Sequence, residues 1–316
     1  MVRRLVVLAS GLFAAAIAAG AVYWFWPRNA ENRPETSPAV KQVGTMRAAE
    51  ITESSGVVES RKRPGIYWTH NDHGNRPAIF AIQRNGDCVN RFLIDAPNND
   101  WEDIALDERG RLYIGDIGDN EHTRPLLYVY RLPEPDPRAP STKVPLPIER
   151  RWQLRCPSDP LNCEALFIWQ GYGYLISKLN KQHPAGLYRF PLDAPDEPLT
   201  LEHLGHLSIR DQVTAADIRN DGKLLAVLTY AGLYVYRIDG DVDHARKLQP
   251  MFIPIRGHKI EGCCFTTGGV FITSETREVY FCEATAYAAL LEEPKMAGKA
   301  PTRPTTRPKR PTTGAR

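Results

Sequence analysis

The sequence predicts an all-β fold: a β-propeller of about five four-stranded blades, closed by an N-terminal strand and preceded by an N-terminal transmembrane helix. Three observations carry this. A pattern of roughly 50 residues recurs along the middle of the chain, within the range of propeller repeats. Each repeat opens on polar or acidic residues and continues into apolar ones. The composition, with 26 prolines, 23 glycines and 42% hydrophobic residues in 316, suits many short strands joined by turns.

Taken in order, residues 1–26 read as a signal anchor. Arg3 and Arg4 precede an uncharged apolar run from Leu5 to Trp26. Roughly 20 apolar residues span a bilayer, and the closing Val22-Tyr23-Trp24-Phe25-Trp26 cluster suits a membrane–water interface. The basic flank keeps the N-terminus cytoplasmic, so the remainder faces the periplasm or exterior; cleavage near Ala16–Ala18 or Ala21, with secretion, is the alternative. Residues 27–40 are a polar, Pro-containing linker, and residues 41–293 hold the propeller. Residues 294–316 form a basic Pro/Thr-rich tail without an acid or aromatic residue, a composition that cannot bury a core. That tail is a solvated spacer or a contact for an anionic surface. The net charge of +3 becomes about −6 once the seven positive charges of the tail and the net two of the N-terminal stretch are removed. An acidic folded part excludes nucleic acid as a partner.

Five inner strands share the repeat's opening: Glu53-Ser54-Ser55-Gly56-Val57, Asp100-Trp101-Glu102-Asp103-Ile104, Asn162-Cys163-Glu164-Ala165-Leu166, Thr214-Ala215-Ala216-Asp217-Ile218 and Lys259-Ile260-Glu261-Gly262-Cys263. Second strands follow at Ile66–His70, Leu112–Asp116, Tyr174–Lys178, Ala226–Tyr230 and Val270–Ser274. Third strands follow at Ala78–Ile82, Leu127–Arg131, Gly186–Phe190, Leu233–Arg237 and Glu278–Phe281. Their aromatic and β-branched content fits half-buried strands. Fourth strands are legible at Val89–Ile94, Glu149–Leu154, Leu201–Ile209 and Lys247–Ile255. The fifth repeat lacks one, and Val43–Ile51 supplies it from the other end of the chain, which closes the ring and removes its open edges. A sixth blade has room only in the Pro-rich stretch Pro133–Pro147. A β-sandwich is the competing fold and predicts no fixed repeat.

The first strand of each blade lines the axis, so the aligned residues Ser55, Glu102, Glu164, Ala216 and Glu261 should meet at one end, with Asp103 and Asp217 one place on. Loops after the second strands add His70, Asn71 and Asp72, then Asp116, Asp119 and Asn120, then Lys178, Tyr230 and Glu275. Carboxylates crowded on one axis need a cation, a proton or Lys178 to coexist. Oxygen donors favour a hard divalent ion, calcium before magnesium, with Glu102, Asp103, Asp116, Glu164, Asp217 and Glu261 as its ligands. The alternative is that these acids only accept backbone N–H groups at strand starts. His70 is a candidate general base or a structural histidine, and Trp101 reads as packing between blades. Cys156 and Cys163 bracket a turn-rich loop that a disulfide could close. The chain holds no Gly-x-Ser-x-Gly elbow, phosphate-binding loop or HExxH motif.

Glu53–Gly56, Thr69–Asp72, Asp100–Ala105 and Gly115–Asn120 resemble a group of exported bacterial propellers whose activity is unassigned, over about Val43 to Glu283. More distantly, the pattern is similar to the gluconolactonase/regucalcin, esterase-like phytase and TolB-like propellers. Those resemblances imply a six-bladed ring and, in some members, a divalent ion in the channel. Two functions follow as expectations. One is a membrane-tethered propeller, held to the inner membrane by its N-terminal helix, that binds a protein or small-molecule ligand; its oligomeric state stays open. The other is a metal-dependent hydrolase of a phosphoester, lactone or similar anionic substrate, with Glu102, Asp103 or His70 as base.

Overall fold

The computed structural model describes residues 35–140, 143–179, 184–256 and 259–292. The expected anchor (1–26), most of the linker and the basic tail lie outside them. Among the described residues no helix is long and apolar enough to cross a membrane.

Strand β1 (Val40–Thr45) is followed by four strands that make the first blade: β2 (Ser54–Glu59), β3 (Ile66–Asn71), β4 (Ala78–Gln83) and β5 (Cys88–Leu93). The second contains β6 (Trp101–Leu106), β7 (Arg111–Asp116), β8 (Leu127–Pro133) and β9 (Arg150–Arg155). The third contains β10 (Cys163–Trp169), β11 (Tyr172–Ser177), β12 (Gly186–Pro191) and β14 (Glu202–His206). Between the last two, β13 (Leu199–Thr200) adds a short parallel fifth strand to the second blade, beside β9. The fourth contains β15 (Val213–Ile218), β16 (Leu224–Thr229), β17 (Gly232–Arg237) and β18 (Met251–Pro254). The fifth contains β19 (Ile260–Thr266), β20 (Gly269–Ser274) and β21 (Glu278–Glu283), and takes β1 as its outer strand, antiparallel to β21 from Val40–Cys282 to Thr45–Glu278. The described residues therefore form five sheets, and the six-bladed ring implied by resemblance is overturned. The described residues of the stretch 134–147 make no blade, and Leu146 bridges Ile94 at the end of the first one. The strand read over Val43–Ile51 starts three residues earlier, at Val40.

The inner strands neighbour one another in the order β2, β6, β10, β15, β19 and back to β2. Because side chains alternate along a strand, each inner strand feeds the two interblade spaces beside it. Five apolar clusters result, one per space. Trp68 and Trp101 fill the space between the first two blades, and Trp152 the next. All three are wholly buried; at roughly 25 cal/mol per Å² over about 200 Å², each contributes on the order of 5 kcal/mol of transfer free energy.

All six cysteines are free, which corrects the expected Cys156–Cys163 bridge. Cys163 heads β10 and is turned into the apolar cluster between the second and third blades, with Cys156 packed at that cluster's edge.

Candidate functional site

Every inner strand breaks register at the same level. The ladder skips between Ser54 and Val57, Trp101 and Asp103, Cys163 and Ala165, Val213 and Ala215, and Ile260 and Gly262. A bulge of this kind re-aims one side chain. The residues it sets apart are Ser55, Glu102, Glu164, Thr214 and Glu261. The fourth member of the aligned set is thus Thr214, not Ala216, and Asp217 falls about three residues, or roughly 10 Å, further along the axis.

Below this level the axis is stitched shut. Ser55 Oγ donates to the Glu102 carbonyl at 2.6 Å, joining the first blade to the second. Asp103 Oδ2 accepts N–H groups from Leu166 (2.9 Å) and Ala216 (3.2 Å), joining the second to the third and fourth, while its Oδ1 accepts its neighbour Ile104 N–H. Asp217 Oδ2 accepts Phe265 N–H at 2.8 Å, joining fourth to fifth, and Thr273 Oγ1 donates to the Ser55 carbonyl at 3.3 Å, returning to the first. The positions level with Asp103 are Gly56, Ala165, Ala215 and Gly262, small enough to leave it the axis. A Cβ on Gly56 would lie 2.5 Å from Asp103 Oδ1 and 2.6 Å from its Cα. Burial holds the Asp103 carboxyl well above its ordinary range despite its three N–H donors, and pushes Asp217 up to about 7.

Above the bulges lies an acidic mouth. Glu164 Oε1 accepts from Lys178 Nζ and Asn162 Nδ2, each at 2.8 Å. Glu261 Oε1 accepts from Tyr230 OH at 2.6 Å, and the Lys178 ammonium stands 5.9 Å from the Tyr230 ring centre. Glu275 pairs with Lys259 at the rim. Glu102 is 5% exposed, yet among the described residues no hydrogen bond reaches its carboxylate. Beside it, Asp72, His73 and Asp100 bring their ligand atoms within 4.8 Å of one another, close enough to share a metal ion. A Cβ on Gly118 would sit 2.2 Å from Glu102 Oε1 and 2.4 Å from Asp100 Oδ2, so these two oxygens flank one small space kept clear by the glycine.

The electrostatics match this crowding. Burial, then the charge of Asp72, raises Asp100 to about 6. Burial, then Glu164, Asp72 and Asp100, holds Glu102 well above the usual carboxylate range. Glu261 and Asp72 are raised chiefly by burial, and Glu164 likewise against the pull of Lys178. Burial alone would lower Lys178, but Glu164, Glu102 and Glu261 together raise it. One ammonium, already paired with Glu164, cannot balance five carboxylates, and hard oxygen donors around a cleared space fit a divalent cation.

The other candidates serve the walls. Asp116 is wholly buried and holds Arg124 (2.8 Å), Asn99 (2.7 Å) and the Asp100 N–H (3.0 Å). Asp119 accepts the Thr123 and Arg124 N–H groups, each at 2.9 Å, closing the loop above it. Asn120 Oδ1 accepts from Asn162. Asn71 accepts the Thr52 N–H and donates to the Glu50 carbonyl, fixing the entry to β2. His70 is fully buried, lies edge-on to Trp101 at 5.7 Å, and is pulled down to about 4 by burial. Its Nδ1 faces the Asn71 carbonyl at 3.1 Å and its Nε2 has no hydrogen-bond partner. Asp100 and His73 were not among the residues singled out from the sequence. The signal for Asp100 was its spacing two places before Glu102, which sets both side chains on one side of an extended segment.

No family model matches the chain, and no curated protein matches it. Among solved structures, a gluconolactonase from Xanthomonas campestris is similar at 16% identity and a TM-score of 0.43, over 73% of this chain and 71% of that one. A putative gluconolactonase is similar at 15% identity and a TM-score of 0.42, over 80% and 96%. A virginiamycin B lyase from Staphylococcus aureus is similar at 11% identity and a TM-score of 0.40, over 72% and 65%. Likenesses this remote say nothing about this chain's chemistry. The class that the sheets themselves define is a five-bladed β-propeller.

Proposed function

We propose that the protein is a membrane-tethered, extracytoplasmic propeller that binds its ligand through a divalent cation, calcium before magnesium, held at the acidic mouth by Glu102 and Asp100 with Asp72 and His73. The observation that carries this is Glu102: a residue only 5% exposed whose carboxylate receives no hydrogen bond among the described residues and faces a cleared space beside other carboxylates. An unpartnered buried charge is costly, and a cation offsets that cost. Glu164, Glu261, Lys178 and Tyr230 complete the wall across the mouth. Bound there, the cation supplies positive charge and open coordination positions for an anionic or hydroxylated ligand.

A second reading, hydrolysis of a lactone or phosphoester, is favoured by one feature. Before a cation is bound, burial and the charge of Asp72 raise Asp100 to about 6 beside the same space, in the range where a general acid or base works near neutrality. Titration calorimetry of the full-length chain in neutral detergent with calcium and magnesium tests the shared premise; absence of saturable heat with either ion contradicts it. Assay of the calcium-loaded protein on an aryl phosphate and a small lactone then separates the readings. Turnover of either substrate that chelator removes establishes the hydrolase; cation binding without turnover establishes the binding protein.

A further inference from the structure

The opposite end of the propeller carries a second charged feature of the reverse sign. After β8 the chain crosses back over the first blade as a strap. Asn90 Nδ2 donates to the carbonyls of Pro137 (3.0 Å) and Ala139 (2.7 Å). Glu134 is buried beneath it and accepts from Ser60 Oγ (2.5 Å), Trp68 Nε1 (2.9 Å) and the Lys62 N–H (3.3 Å). The strap thereby brings Arg138 over the two turns at the base of the first blade, between β2 and β3 and between β4 and β5. Together they line an open depression of about 540 Å³ bordered by Lys62, Arg63, Arg84 and Arg138 with Gly65 and Asn85.

Little in the protein neutralises these four cations. Arg63 reaches Asp136 at 3.5 Å across an exposed gap. Among the described residues Lys62 Nζ meets only the Glu134 backbone carbonyl; the Glu134 carboxylate accepts from Ser60, Trp68 and the Lys62 N–H. Arg84 is laid flat over Phe281 at 3.7 Å, which orients its guanidinium without cancelling its charge. Among the described residues no ion pair holds the Arg138 guanidinium. Of the other acids nearby, Glu59 accepts the Gly65 N–H, and Asp87 in the β4–β5 turn accepts from Asn85 Nδ2 at 2.7 Å and stands 3.6 Å from Arg47.

The geometry points to a binding site for a phosphate-bearing ligand in this depression, between the base turns of the first blade and the strap. Guanidinium groups present paired N–H donors that match phosphate oxygens, and a pre-oriented arginine loses less freedom on binding than a free one. The volume suits a small phosphorylated molecule or a lipid headgroup. Anions are repelled from the acidic mouth and drawn to this end of the molecule.

The test is titration calorimetry of the full-length chain in neutral detergent at about 150 mM salt, where exposed charges act only over roughly 8 Å. Two probes are used: inorganic pyrophosphate and a short-chain phosphatidylglycerol. At least one is expected to saturate at one site, with affinity reduced about tenfold or more in Arg84→Ser/Arg138→Ser and unchanged in Arg246→Ser, which removes an exposed arginine paired with Asp243 elsewhere on the surface. Saturation by pyrophosphate alone assigns a soluble phosphorylated ligand, and saturation by the lipid alone assigns a headgroup. Lys62→Gln, a milder change, is expected to show the same trend should the double variant melt early. The proposal is overturned when neither probe saturates, or when the double variant binds as the unaltered chain does and the basic tail is the binder.

Discussion

Replacing Asp103 by alanine separates a staple from a metal ligand. In the structure its carboxylate accepts N–H groups from two other blades, Leu166 and Ala216, and from its own neighbour Ile104. A buried N–H left without an acceptor costs about 1–3 kcal/mol, so losing the two cross-blade bonds costs about 2–6 kcal/mol. Removing a carboxylate that burial disfavours returns part of this, leaving a net loss of about 2–4 kcal/mol. Asp103→Asn keeps one acceptor oxygen and should lose about half as much. Urea unfolding of the full-length chain in neutral detergent, with chelator present throughout, reads both values as shifts in midpoint. A loss below about 0.5 kcal/mol for Asp103→Ala in chelator, accompanied by loss of cation binding, would refute the staple and make Asp103 a ligand.

Three further outcomes follow from the same geometry. Gly56→Ala places a Cβ against the Asp103 and Ile104 backbone and should cost about 2–3 kcal/mol in the same urea experiment, as overpacking does. Gly118→Ala puts its methyl into the space between Glu102 and Asp100; calorimetry should show calcium affinity lost, while the melting temperature in chelator changes little because only flexible side-chain ends are displaced. Asp217 is raised by burial from 3.8 to about 7, so between those values the folded state holds a proton that the unfolded chain has released. Its contribution to stability is therefore full below about pH 4 and declines as pH rises through 7, by an order of 2–4 kcal/mol. Asp217→Asn, neutral throughout and still able to accept from Phe265, should be more stable relative to the unaltered chain at pH 8 than at pH 5; equal differences at both pH values contradict the shift.

The blades were legible because local signals agreed. Aromatic and β-branched residues alternate in strands such as Tyr128-Val129-Tyr130 and Tyr234-Val235-Tyr236, bounded by turns such as Asp107–Gly110 and Asn220–Gly222. The level of each inner strand was legible only where the bulged residue is an acid. In β15 that place is Thr214, which carries no charge to mark it, and Asp217 drew the register two places off. The roles of the acids were hidden for a different reason. Asp103 and Glu102 are adjacent and chemically alike, but one side of the strand faces the small residues Gly56, Ala165, Ala215 and Gly262 while the bulge turns the other to the mouth. Only the five-fold assembly shows that the first is satisfied by backbone amides and that no hydrogen bond among the described residues reaches the second. His70 reads in sequence as either a general base or a structural histidine, and its complete burial edge-on to Trp101 fits the structural role.

The most direct test of the cation site is thermal melting of the full-length chain in neutral detergent, with calcium, magnesium or chelator, for the unaltered protein and for Glu102→Gln, Asp100→Asn and Asp103→Asn. A ligand that binds only the folded state raises its melting temperature by mass action. The account predicts a rise with calcium that Glu102→Gln and Asp100→Asn abolish and that Asp103→Asn retains from a lower starting temperature. A melting temperature indifferent to all three additions, or a rise that survives Glu102→Gln, would contradict it.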